Sequence, residues 1–245
     1  MRKRVACVTG FAAVLAAVGL VAVSSAAAKE ATEYEVTITN LTGGQPLTPP
    51  AVATHRRPLR VFDVGAPASF GVKEIAENGN LAPLLGAFAA SPFVSDFLEA
   101  PGGPLVPDGL PGSAMFDDTT SFTITASHNA NYLSFVSMLI CTNDGFTGVS
   151  GLRLPKRVGD SVSVLTNSYD AGTELNTEDF ADIVPPCQGL VGVSSGEPGT
   201  GTSNPALAEG GVIHMHPGIS GIADLIPAVH GWTDPVALLE IEAIG

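Results

Sequence analysis

Two-residue alternation of apolar and polar side chains recurs along this chain, and Gly or Pro interrupts it every few residues. Such a pattern buries one face of a short strand and leaves the other in water. Glu33–Leu41 places Tyr34, Val36 and Ile38 against Glu35, Thr37 and Thr39. Thr119–Ala126 repeats the pattern through Phe122 and Ile124, and Val158–Thr166 through Val158, Val162 and Val164. Tyr132–Cys141 is more continuously apolar, as expected of a central strand covered on both faces. Gly211–His216 and Pro235–Ile244 close the series, and Gly151–Leu154 adds a short strand-like piece. Helical heptads are missing, while the 28 Gly and 19 Pro supply turns throughout. The expected fold is all-β, an antiparallel β-sandwich.

One stretch departs from this rule. Ala66–Glu77 and Asn80–Glu99 carry Ala, Leu, Phe and Glu at helical intervals. Ser91-Pro92 has the form of an N-cap followed by proline at the first helical position. A short helical insertion is therefore expected at about residues 66–100. Pro101–Gly112 and Val193–Gly211 read as loops.

Residues 1–28 read as an export signal. Arg2, Lys3 and Arg4 precede a long apolar run, and Ala26-Ala27-Ala28 fits a cleavage site. Cleavage would leave residues 29–245, one domain of 217 residues. It would carry 8 Lys and Arg against 24 Asp and Glu. No membrane insertion is expected after cleavage, and the location implied is secreted, periplasmic or cell-envelope. The acidity excludes nucleic acid as a partner, since phosphate binding needs a cationic surface. Cys141 and Cys187 would remain, and an even pair in an oxidising compartment suggests a disulfide. Closing that loop is worth roughly 3–4 kcal/mol in the chain-entropy account.

The residues most suited to chemistry lie in two acidic loops. Cys141–Gly148 contains Asn143, Asp144 and Gly145 after the most apolar strand, and Tyr169–Asn176 contains Asp170, Gly172 and Glu174. Asp144 and Asp170, with Asn143 and Glu174, offer hard oxygens of the kind Ca²⁺ takes, six to eight at about 2.3–2.6 Å. The spacing is not that of an EF-hand. Each loop is equally readable as a β-turn with a self-bonding Asx side chain. Convergence requires residues 146–169 to run out and return.

These same segments carry a resemblance. Tyr-Glu-Val-Thr-Ile-Thr-Asn-Leu-Thr, then Met-Leu-Ile-Cys-Thr-Asn-Asp-Gly-Phe-Thr-Gly, then Tyr-Asp-Ala-Gly-Thr-Glu resembles the spondin N-terminal domain in its bacterial form. The animal members, the F-spondin and mindin group, are extracellular-matrix proteins whose domain is a C2-like β-sandwich with bound Ca²⁺. The resemblance implies that Asp144 and Asp170 are metal ligands. The family's strand Glu has no counterpart at Ser121–Thr123, and Asp118 or Asp117 would have to substitute. The function implied is a calcium-binding adhesive or structural module, with an extracellular protein or glycan as partner.

Other features carry less. His214-Met215-His216 would place two imidazoles on one strand face, and with His128 or His230 added would suit Zn²⁺ or Cu²⁺ in a metal-dependent enzyme. Gly192–Gly196 spells G-x-S-x-G, but Glu197–Ser203 after it is a loop former and not the helix that a nucleophile elbow needs. No catalytic residue is assigned. Trp232, just before the last strand, is expected as a core plug or loop anchor.

Overall fold

The computed structural model describes residues 31–245, and the expected export signal lies outside them. The described residues form ten strands and four short helices: β1 (Thr32–Asn40), β2 (Ala51–His55), α1 (Phe70–Asn78), α2 (Ala82–Ala90), β3 (Val94–Glu99), β4 (Thr119–Ala126), β5 (Tyr132–Met138), β6 (Gly145–Arg153), β7 (Ser161–Thr166), β8 (Ser168–Asp170), α3 (Pro186–Val191), β9 (His214–Met215), α4 (Pro227–His230) and β10 (Ala237–Ala243). One sheet has the order β4-β1-β10-β7, the other β3-β2-β5-β6-β8-β9. Every pairing is antiparallel. The fold is the expected β-sandwich with a short helical insertion.

The alternation read from sequence is what closes the sandwich. Tyr34, Val36 and Ile38 of β1 meet Leu239 and Ile241 of β10 and Leu133 and Phe135 of β5 in one apolar layer. Removing a Leu, Ile or Phe side chain from water contributes about 1.5–3 kcal/mol. Glu35, Thr37, Glu240 and Glu242 take the solvent face. A second layer covers the opposite face of the six-stranded sheet. There Val136, Met138 and Phe146 pack with Val72 and Ile75 of α1, Phe88 of α2 and Leu190 of α3. β5 thus sends alternate residues into two cores, and its near-continuous apolarity is the result.

Several boundaries differ from the sequence expectation. Ser91–Glu99 is not a helix. Ser91 ends α2, its Oγ accepts the Phe93 N–H, and the chain continues into β3. Asp96 of β3 then accepts the N–H and hydroxyl of Thr125. That tertiary bond outweighs the local cap signal. β2 is not visible in the sequence as a strand because both its faces are buried and its small residues do not alternate. The strand expected at Gly211–His216 is shorter than its pattern, and only His214–Met215 pairs.

The Cys141–Cys187 disulfide forms as expected, joining the β5–β6 turn to α3. Beside it, the fully buried Gln45 ties three segments together. Its Nε2 donates to the carbonyls of Cys141 (3.1 Å) and His230 (2.7 Å), and its Oε1 accepts the Cys141 N–H (3.0 Å). Truncation would strand all three backbone groups. Gln45→Ala is expected to lower unfolding free energy by about 2–4 kcal/mol, read as a lower urea midpoint at unchanged slope.

Candidate functional site

The β5–β6 turn is built around Thr142. Its Oγ1 donates to the Leu139 carbonyl (2.7 Å) and accepts the Gly145 N–H (2.9 Å). A Cβ at position 145 would sit 2.5 Å from that oxygen, so only glycine fits. The tight turn delivers Asp144 to the first residue before β6. After β6 the chain crosses to β7 in the other sheet and returns as β8, beside the start of β6. Gly145 pairs with Asp170, and the Ala171 N–H donates to the Asp144 carbonyl at 3.1 Å. The chain between the two acidic loops therefore does run out and return.

The second loop wraps the first carboxylate. Asp144 Oδ2 accepts the Thr173 N–H (2.7 Å), the Glu174 N–H (3.0 Å) and the Thr173 hydroxyl (3.2 Å). Asp144 Oδ1 is buried with no hydrogen-bond partner. Burial, followed by the charge of Asp170, raises the Asp144 pKa to about 7, despite the donors that favour the anion. Asp170 Oδ1 accepts the Gly172 N–H (2.7 Å), and its Oδ2 accepts the Asn176 amide (2.7 Å). Gly172 has a φ of +67°, and a Cβ there would strike the Val212 backbone at 2.6 Å.

The other expected ligands are placed differently. Asn143 turns both ends of its amide to loop residues, donating to Thr177 Oγ1 and accepting the Glu178 N–H. Glu174 is buried, and its pKa is raised to about 7 by burial and then by Glu77, with Asp144 a smaller influence and the Asn204 backbone N–H opposing the rise. Asp118 bonds to Thr119 at the head of β4, in the opposite sheet, and shares no partner with Asp144 or Asp170. The structure thus brings Asp144 and Asp170 together, sets Glu174 behind them and leaves Asp118 apart.

The histidine pair joins Asp170 rather than standing alone. β9 pairs with β8, with His214 opposite Asp170. The half-exposed His214 holds its Nδ1 3.8 Å from Asp170 Oδ1. His216 is buried, its ring edge-on to Trp232 at 5.0 Å between centroids. Its Nδ1 accepts the Gly218 N–H, and its Nε2 has no partner. Burial lowers its pKa to about 4, against the opposing pull of Asp170. His128 lies between β4 and β5, and His230 packs on Phe180 beside the disulfide, so neither completes a zinc set with His214 and His216. Among the described residues, one trio of metal-capable donor atoms lies within 4.8 Å of one another, Cys141, Cys187 and His230, and its sulfurs are committed to the disulfide.

Trp232 anchors a loop, donating to Ser168 Oγ at 2.9 Å. Glu178 clamps the neighbouring segment, and sequence reasoning misses it. Its carboxylate accepts from the Ser220 N–H and hydroxyl, the Gly221 N–H and the Ile222 N–H. Burial opposes its charge, but these donors hold its pKa below the usual range. Its φ of +57° is the visible strain, and no sequence pattern announces it. Gly192–Gly196 stands after a helix instead of before one, the reverse of a nucleophile elbow.

These features define an antiparallel β-sandwich with an acidic two-loop site at one end. Residues 47–179, more than half of the chain, match the spondin N-terminal family (Spondin_N), and the chain belongs to that family. The matched stretch includes both acidic loops but ends before Cys187, β9 and Trp232. No curated protein matches the chain.

A carboxyl with a folded pKa near 7 binds protons more tightly than it does in the unfolded chain. Its contribution to stability is fully present below about pH 4 and is lost as pH rises through 7. Asp144→Asn abolishes that loss. In chelator, its stability relative to the parent is expected to grow from pH 4 and level off above pH 7, reaching a few kcal/mol on the order of 1.4 per unit. Urea titrations of both proteins across this range check it, and the difference cancels the opposing titration of His216.

Proposed function

We propose that this chain is a secreted extracellular module in which Asp144 and Asp170 hold Ca²⁺, with an adhesive or structural role at the cell envelope. The observation that carries the reading is the partnerless, buried Asp144 Oδ1 beside a second buried carboxylate. Two such anions repel each other, and a divalent cation reverses the sign of that interaction. The donor set suits a hard cation: carboxylate oxygens from two adjoining loops, with loop carbonyls and water to complete the shell. Ca²⁺ would hold the two loops together and present a stiffened rim to a protein or glycan partner. The spondin family and the disulfide support an extracellular location.

A second reading rests on His216 Nε2, which is also buried without a partner and lies in the field of Asp170. A softer divalent ion, Zn²⁺ or Cu²⁺, bound at His214 and His216 would use it, with a metal-dependent enzyme as the consequence.

Thermal unfolding separates the two. Ca²⁺ at a hundredfold excess over Kd is expected to stabilise the fold by about 2.7 kcal/mol, seen as a higher Tm than in EDTA. Asp144→Asn and Asp170→Asn should abolish the shift, and His216→Ala should retain it. A Tm unresponsive to Ca²⁺ but raised by Zn²⁺, and lost in His216→Ala, would establish the second reading instead.

A further inference from the structure

The opposite end of the sandwich carries a second constellation, independent of the acidic loops. Residues 31–245 contain seven lysines and arginines against 23 acidic residues. Six of the seven, Arg56, Arg57, Arg60, Arg153, Lys156 and Arg157, come just after β2 or close β6. β6 starts at Gly145 beside Asp144 and ends at Arg153, so eight residue steps of about 3.3 Å separate the two ends. Such segregation gathers most of the cationic residues of a strongly acidic chain at one end of β6.

Here His55, Tyr132 and Arg153 lie in one row across β2, β5 and β6. They line a cleft of about 360 Å³ with Arg57, Arg60 and Ser150. The floor is fixed. His55 is buried, its Nδ1 donates to the Arg56 carbonyl (2.9 Å), and its Nε2 accepts the Ser134 hydroxyl (2.8 Å). Ser134 Oγ in turn accepts the Gly151 N–H (2.8 Å). Tyr132 stacks on His55 with 24° between planes, making a flat aromatic wall. Two of the arginines are tied: Arg56 to the Pro92 carbonyl and the Phe93 ring, Arg60 to Asp63. Arg57 and Arg153 are exposed and, among the described residues, form no ion pair and donate no side-chain hydrogen bond.

We propose that this cleft binds an acidic saccharide, whose carboxylate or sulfate ester is held by Arg57 and Arg153 and whose ring lies against Tyr132. Guanidinium forks match planar oxyanions and grip them with paired, charge-assisted hydrogen bonds. The cleft volume lies at the small end of the range for ligand pockets, room for one or two sugar rings. The tyrosine adds apolar area with a polar edge, which suits a sugar ring better than a bare phosphate.

Isothermal titration of the full chain with tetragalacturonate, a sulfated galactan tetrasaccharide, cellotetraose, inorganic phosphate and phosphatidylglycerol vesicles tests it. Saturable binding is expected for one or both acidic tetrasaccharides, weakening with added salt, and none for cellotetraose. Arg57→Gln and Arg153→Gln, both at exposed positions, should each weaken it roughly 10-fold or more. The acidic tetrasaccharide that binds identifies the oxyanion. Failure of both, affinity unchanged in the arginine variants, or binding to phosphate or vesicles as tight as to the saccharides would overturn the proposal. The cleft shares no residue with the acidic loops, so this result stands or falls separately from their response to Ca²⁺.

Discussion

The carboxylate of Asp144 is surrounded by backbone, and that enclosure organises one end of the molecule. It lies just before β6, where the six-stranded sheet is covered on both faces, and the turn that presents it is buried from bulk water. The Thr173 and Glu174 amides and the Thr173 hydroxyl take one oxygen, which locks the second loop onto the first. The other oxygen has nothing. Buried carboxylates are costly unless fully paired, so this half-satisfied arrangement is the kind of local cost that marks a binding site more often than a packing solution. Around it the fold adds braces that would be excessive for a surface turn: the disulfide, the Gln45 bridge and the Glu178 clamp all converge within the same set of loops.

Legibility in the sequence tracks the physics of each element. β1, β4 and β10 belong to the sheet with one solvent face, and their alternation is open to inspection. β2 and β5 are buried on both faces, so periodicity carries no face information there. β5 is recognisable through its near-continuous apolarity, while the five residues of β2 show no alternation to read. Ser91-Pro92 misleads because a serine before a proline caps a helix start in isolation, whereas here the same serine ends α2 and opens a turn into β3. The two acidic loops are legible as turns holding oxygens. Their roles inside the site are not. Asn143 and Asp144 are adjacent in the chain, yet one is a brace and the other a buried anion, and only the identity of the groups facing them decides which.

Sequence also could not join the histidine pair to the aspartates. β8 and β9 are separated by more than forty residues, including α3 and a long loop. Their pairing places His214 opposite Asp170, so two candidate centres that are separate in the sequence become one neighbourhood. The consequence is a mixed environment. Asp144 is pushed toward the protonated state by burial and by Asp170, while His216 is pushed toward the neutral state by burial. Both shifts favour the uncharged form, because for each group the loss of water outweighs the favourable groups around it. A cation would restore the anionic state of Asp144 without requiring His216 to change.

Placing chemistry at the two ends of β6 has a structural reason. The faces of the six-stranded sheet are occupied by two cores, and the outer face of the four-stranded sheet is lined by Glu35, Glu240 and Glu242 with small hydroxyl residues. Glu35 stands directly opposite Glu242 in the β1–β10 register, an arrangement that repels anions and offers no enclosure. What remains for a specific ligand is the loops at each end. At one end antiparallel return brings two aspartates beside each other. At the other, the ends of β2 and β6 and the start of β5 are in register and set His55, Tyr132 and Arg153 in a row. The same strand therefore separates a pair of buried aspartates from a cluster of arginines. At that span the two fields are screened from each other at physiological ionic strength, where the Debye length is about 8 Å. Each end can therefore be tuned by substitution without disturbing the charge state of the other.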